Sequence, residues 1–299
     1  MNFPKHLTGL KDLNKDVMEN IFSLTAEYKK KILVRDKSYP DLKNFTVLNL
    51  FFENSTRTRV SFELAEKLLN MKVVNFNADV SSLSKGESIL DTVRNLEAMR
   101  FDFIVSRSTE INFPEFLIKH TTSQIMNAGD GTNEHPTQGL LDIFTIKENF
   151  KDLKDLKVCI VGDISHSRVA MSNIYGLQNY AAKVSVCAPD YFLPKDLKLN
   201  VYDNFDDAIK ENDVLIMLRI QNERGAGEMI KSLDDYKKLY GLNKKRVEQN
   251  KNILLLHPGP WNTGVEVEED VLDLPNTKFF EQVTNGLAIK LALFTLMTK

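Results

Sequence analysis

Arginines and hydroxyls stand together in one stretch of this chain, Phe51-Phe52-Glu53-Asn54-Ser55-Thr56-Arg57-Thr58-Arg59-Val60-Ser61-Phe62-Glu63. It follows an apolar run and opens a helical one. Ser55 and Thr56 are good N-cap types, and a helix start turns backbone N–H groups and partial positive charge outward. Arg57 adds a fork of donors that fits phosphate oxygens. Hydroxyls, amides and a guanidinium at one point are what a phosphate site requires. A capped helix with surface arginines is the plainer alternative, and residue types alone leave it open.

Further candidates follow along the chain. Arg107 ends the run Asp102-Phe103-Ile104-Val105-Ser106-Arg107. The carboxyl end of a parallel strand is where open α/β sheets bind ligands. His135 precedes Pro136, which fits a first helical position, so His135 falls at the N-cap or just before it. The helix dipole disfavours an imidazolium there, and a neutral His could donate to a carbonyl oxygen. A histidine packed at a turn fits as well. In the second half, Gly162 follows Val161 and leads to Arg168 near a helix start, without a GxGxxG pattern, so a dinucleotide site is poorly supported. Arg219 and Gln221 follow an apolar run and share one side if the chain stays extended. Arg168 and Arg219 together suit a ligand with two carboxylates. His257-Pro258-Gly259-Pro260 closes the last run with a rigid turn, compatible with a cis peptide bond, whose carbonyls could face an amine.

These residues need elements to hold them. Eight short apolar runs alternate with helix-like segments: Phe45–Phe52, Val73–Phe76, Phe103–Val105, Ser123–Met126, Val158–Val161, Val184–Cys187, Val214–Leu218 and Ile253–Leu256. Near-continuous apolarity suits strands covered on both faces of a parallel sheet. Helical periodicity covers Thr58–Leu69 and Pro136–Phe150. The β-then-α order predicts an α/β fold of two doubly wound parallel-sheet domains, four strands each. The charged stretch at Asn149–Lys157 marks the boundary, giving domains 1–149 and 150–284. Thr284–Met297, apolar on one face, returns to pack, and residues 285–299 are assigned to the first domain. The charged segment Lys231–Lys251 reads as a solvated helix pair or loop.

Composition excludes several classes. The 299 residues carry 39 Lys and Arg against 41 Asp and Glu, a net charge of −2, so nucleic acid is not the default partner. No uninterrupted apolar run exceeds five residues, so no membrane span is expected. The start lacks a signal-peptide core, and Cys159 and Cys187 lie in strand-like runs that suit reduced thiols of a cytoplasmic protein. Two cysteines at that distance make no zinc motif.

The motifs, taken together, resemble the catalytic chain of the aspartate carbamoyltransferases from end to end. The resemblance rests on Phe52–Arg59, Ser84-Lys85-Gly86-Glu87, Asn127–Gly131, His135-Pro136-Thr137-Gln138, Gly162–Ala170, Leu218–Arg224 and His257–Pro260. The first motif is shared with ornithine carbamoyltransferases. The His-Pro-Thr-Gln and His-Pro-Gly-Pro forms and the Arg219–Gln221 loop favour the aspartate family.

The resemblance implies transfer of a carbamoyl group from carbamoyl phosphate to L-aspartate in de novo pyrimidine biosynthesis, in a cleft between the domains and without cofactor or metal. It implies that Ser55, Thr56, Arg57 and Thr58 hold the phosphate. Arg107 would span phosphate and carbonyl, and Thr58, Arg107 and His135 would polarise the carbonyl oxygen. Gln138 and the Pro258-Gly259-Pro260 turn would hold the carbamoyl amino group. Arg168, Arg219 and Gln221 would bind aspartate. Ser81 and Lys85 would reach a neighbouring site in a homotrimer. The sequence leaves open whether such a trimer takes a regulatory chain or a dihydroorotase partner. Thr263 and Met171 stand where relatives often have arginine. They weakly motivate one alternative, an inactive scaffold that binds a pathway enzyme. A carbamoyltransferase with another amine substrate is a second, against which Arg219 and Gln221 count.

Overall fold

The computed structural model describes residues 3–77, 86–220 and 233–299. Ser81, Lys85 and Gln221 lie outside the described residues. The chain divides into two compact units, Met1–Leu140 with Thr284–Lys299, and Leu141–Val283. Each contains one parallel sheet with helices, an α/β architecture of the expected kind.

The first unit opens with α1 (Lys15–Leu33), capped by Asn14, whose Oδ1 accepts from Val17 N at 2.9 Å. Its elements then run β1 (Thr46–Phe51), α2 (Thr56–Leu68), β2 (Lys72–Asn77), α3 (Ile89–Ala98), β3 (Phe103–Ser108), α4 (Phe113–His120), β4 (Gln124–Asp130) and α5 (Pro136–Asn149), which continues past the unit boundary. The strand order is β2-β1-β3-β4, all parallel. The chain therefore steps one way from β1 to β2 and returns to the other side of β1 for β3 and β4. Such a reversal leaves a crevice at the carboxyl ends of the two strands beside it. Here those strands are β1 and β3.

The second unit runs β5 (Lys157–Val161), α6 (Arg168–Gln178), β6 (Lys183–Cys187), β7 (Asn200–Tyr202), α7 (Phe205–Glu211), β8 (Val214–Met217), α8 (Leu233–Tyr240), α9 (Lys244–Val247), β9 (Leu254–Leu256) and the start of α10 (Phe279–Met297), which continues in the first unit from Thr284. The order β7-β6-β5-β8-β9 reverses between β5 and β8. The sheet has five strands where the apolar runs predict four. The addition, β7, is a three-residue edge strand with largely exposed side chains, so it carries no apolar run to betray it. The charged stretch after residue 232 holds the two short helices α8 and α9, each anchored by one buried side chain, Tyr236 and Val247.

Aromatic packing fixes the elements that carry the candidate residues. Phe62 of α2 and Phe103 of β3 are fully buried and meet Phe294 of α10 edge-on, with ring centroids at 6.2 and 5.5 Å. Phe52, just past β1, packs on Phe76 of β2 at 5.6 Å and Phe113 of α4 at 5.2 Å. Truncating such a buried ring costs about 3–5 kcal/mol, so α2 and the start of its loop are strongly held. Cys159 and Cys187 are free, buried thiols, and burial pushes the Cys187 thiol up to about 12.

Candidate active site

In the first unit the expected phosphate residues sit at the reversal point. α2 begins at Thr56 with Ser55 as N-cap, so Ser55, Thr56, Arg57 and Thr58 form its first turn. The Ser55 side chain makes no capping bond, while its backbone carbonyl accepts from Arg59 N at 3.1 Å. That turn faces β3. Phe51 registers with Arg107, and Phe52 N donates to the Arg107 carbonyl at 2.9 Å.

The Arg107 side chain is held from two directions. Its Nε lies 2.7 Å from Glu53 Oε1, both side chains being largely buried. Its Nη1 donates to the Ala128 carbonyl at 3.0 Å. That carbonyl is available because β4 bulges there. Ser106 pairs with Asn127 but Ser108 with Asp130, which leaves one extra residue in β4. Gly129 absorbs the irregularity at φ +119°, a conformation that favours glycine.

His135 is reached through a tightly bonded turn. Asp130 takes the amides of Glu134 at 3.2 Å and Asn112 at 2.9 Å, together with the side chains of Asn127 at 2.7 Å and Asn133 at 3.0 Å. Gly131 N donates to the Ser108 carbonyl at 2.9 Å, which ties this turn to the end of β3. Pro136 opens α5, and the His135 carbonyl accepts from Gln138 N and Gly139 N, so His135 occupies the cap position. Its ring is buried, with Nδ1 3.4 Å from Thr137 Oγ1. Gln138 is half-buried one turn in.

The second unit repeats the arrangement at its own reversal. Arg168 is the first residue of α6 and is 4% exposed, behind Ser167, whose Oγ accepts from Ala170 N. Leu218 N donates to the Val161 carbonyl at 2.8 Å, which sets the Arg219 segment beside the loop after β5. The close approach explains Gly162, at φ +118°, where a Cβ would meet the Leu218 carbonyl at 2.9 Å. Asp163, fully buried, accepts from His166 N at 3.2 Å and contacts its Nδ1 at 2.8 Å, fixing the loop before Arg168. The His257–Pro260 turn follows β9, the neighbour of β8, with Gly259 at φ +58° and a cis bond to Pro260. Gly259 N donates to His257 Nδ1 at 2.8 Å. Trp261 meets His257 and Phe280 edge-on and Phe279 at a tilt.

Glu53 and Glu266 are polar anchors that residue type and spacing do not mark. Glu53 lies inside a motif whose cations are its conspicuous part. Glu266 bonds Ile220, 46 positions away, a pairing that only the fold reveals. Among the described residues, no group of three or more His, Cys, Asp or Glu side chains could hold a metal ion.

Two family models cover nearly all of the chain. The aspartate/ornithine carbamoyltransferase carbamoyl-P binding domain matches residues 5–148, and the Asp/Orn binding domain matches residues 154–297. The chain belongs to the aspartate/ornithine carbamoyltransferase family. It is 47% identical over 297 residues to the aspartate carbamoyltransferase catalytic subunit of Cytophaga hutchinsonii, covering 98% of this chain and 97% of that protein. The corresponding subunit of Christiangramia forsetii is 46% identical, with coverage of 98% and 96%. Among solved structures, Trypanosoma cruzi aspartate transcarbamoylase in complex with N-(phosphonacetyl)-L-aspartic acid superposes with a TM-score of 0.88 at 26% identity, over 97% of this chain and 94% of that one. The catalytic subunit of M. jannaschii aspartate transcarbamoylase gives a TM-score of 0.84 at 32% identity, over 97% of each chain. Within this family's two domain types, the Arg57 and Arg107 set falls in the carbamoyl-P binding domain. Arg168, Arg219 and the His257–Pro260 turn fall in the Asp/Orn binding domain.

Proposed function

We propose that this chain is the catalytic chain of an aspartate carbamoyltransferase, which forms N-carbamoyl-L-aspartate and phosphate from carbamoyl phosphate and L-aspartate. The observation that carries the reading is the placement of cations at both sheet reversals, Arg57 and Arg107 in one unit and Arg168 and Arg219 in the other. The two ligands then divide by unit. Residues 1–149 with 285–299 take carbamoyl phosphate, and residues 150–284 take aspartate.

The first turn of α2, from Ser55 to Thr58, offers amides, hydroxyls and the Arg57 fork to the phosphate. Arg107, Thr58 and His135 donate to the carbamoyl oxygen and stabilise the negative charge that grows there as the aspartate nitrogen attacks the carbonyl carbon. Gln138 and the carbonyls of the Pro258-Gly259-Pro260 turn receive the carbamoyl amino group. Arg168, Arg219 and Gln221 hold the two carboxylates, so the amine arrives oriented. The new C–N bond forms, the bond from carbon to the phosphate oxygen breaks, and the departing phosphate takes the amine proton.

The proposal includes a homotrimer in which Ser81 and Lys85 complete the neighbouring chain's site. It also includes pyrimidine biosynthesis in the cytoplasm as the setting, and a regulatory chain or a dihydroorotase as the kind of further partner to test by light scattering. The decisive assay is phosphate release from carbamoyl phosphate. L-Aspartate should support turnover and L-ornithine should not. Turnover with ornithine alone would overturn the substrate assignment.

A further inference from the structure

The Glu266 carboxylate is completely buried, and the hydrogen bonds resolved on it come from N–H groups alone. Its Oε1 accepts from Ile220 N at 2.8 Å and from Asn262 Nδ2 at 2.8 Å. Its Oε2 accepts from Asn262 N at 2.7 Å. The backbone of the same residue is fixed separately, since its carbonyl accepts from Leu242 N at 2.9 Å and Val267 bridges to Leu242. A braced carboxylate thus grips two loops at once. One is the segment after β8, a single residue beyond Arg219. The other is the chain two residues beyond Pro260. Burial pushes the Glu266 carboxyl above its ordinary range, and the bonds from Ile220 and Asn262 pull it back.

We infer that Glu266 is a positioning residue that sets the aspartate side of the site, by clamping the Arg219 segment to the His257–Pro260 turn. The inference rests on the proposed reading of those two segments as substrate-binding. An ionised carboxylate is an acceptor only, and three donors converge on it here. A glutamine of the same size has one acceptor oxygen. Placed to serve Ile220 N and Asn262 Nδ2, it would turn its NH2 against Asn262 N–H. One loop must then shift, and Arg219 or the turn moves with it. Displacing a binding group by an ångström is enough to change a rate strongly.

The test is steady-state kinetics on the full-length Glu266→Gln protein, with both substrates varied and the melting temperature measured. The KM for L-aspartate should rise about tenfold or more, the cost of a buried donor left facing a donor. The KM for carbamoyl phosphate should stay within about twofold. An unchanged aspartate KM in folded protein would overturn the inference. So would an equal rise in both KM values, since that marks a general loosening. Should Glu266→Gln fail to fold, Asn262→Ala decides. It removes one clamp bond and should raise the aspartate KM about threefold, and no rise would overturn the inference. Absence of aspartate-dependent turnover in the unaltered protein is a different result, which refutes the proposed function itself.

Discussion

Arg107 shows how a single charge becomes a tool. The Glu53 carboxylate holds its Nε and the Ala128 carbonyl its Nη1, so the guanidinium is fixed in one plane. Arg107→Ala should lower kcat/KM by roughly 10²–10³, the usual effect of losing one donor to a developing oxyanion. Arg107→Lys should recover little of it, because an ammonium is a point charge and cannot keep two fixed anchors and a third ligand. Kinetics of the two variants check this. The arginines were legible in the sequence because charge at a strand end or helix start is conspicuous. Glu53 and Glu266 were not. An acid whose partner lies far along the chain, the Arg107 side chain for Glu53 and Ile220 N for Glu266, leaves no local pattern.

Helices and strands set the energetic frame around those residues. On α10, Lys290 is fully embedded, with its ammonium nitrogen 5.0 Å above the Phe62 ring of α2 and 3.1 Å from the Gly286 carbonyl. Burial lowers its pKa from 10.5 to about 7. The unfolded chain therefore holds more protons than the folded one between pH 7 and 10.5, and stability from this group rises with pH across that window. Below about pH 7 the whole penalty applies, on the order of a few kcal/mol. Lys290→Met, which keeps the packing on Phe62, should raise the melting temperature at pH 6, with the gain fading towards pH 10.5. Glu66 on α2 acts in the opposite sense. Burial raises its carboxyl from 4.5 to about 8, so it costs stability as pH rises from 4.5 through 8. A melting curve series against pH separates the two.

In the second unit, Gln282 of α10 donates to Asp142 at 2.7 Å and accepts from His257 N at 2.9 Å, and Asn173 of α6 donates to the same carboxylate at 2.8 Å. Gln282→Leu removes both bonds of that link, and should cost about 2–4 kcal/mol in denaturant melts because each buried partner keeps its desolvation penalty. Strand positions were readable from apolar runs. The edge strand β7 was not, because a strand exposed to water needs no apolar residues. The polar network was equally silent in the sequence, since its members are spread from residue 142 to residue 282.

For the whole molecule, the sequence's near-zero net charge proved no guide to its ligands. The proposed substrates are anions, and the proposal assigns them to four placed arginines within a slightly acidic chain. The fold class followed from the β-then-α order, and the reversal in each sheet followed only from the strand pairing. The assembly is testable at this scale. Light scattering should give three times the chain mass. Mixing inactive Lys85→Ala and Arg107→Ala proteins under exchange should restore part of the activity, since hybrid trimers would hold sites that lack neither residue. No recovery in demonstrated hybrids would refute the shared site. The central claim is that one set of cations serves carbamoyl phosphate and another serves aspartate. Arg219→Ala tests it most directly, with carbamoyl phosphate affinity measured by equilibrium binding and aspartate KM by turnover. The account predicts an aspartate KM at least about tenfold higher with carbamoyl phosphate affinity unchanged. Weakened carbamoyl phosphate binding with an unaltered aspartate KM would contradict it.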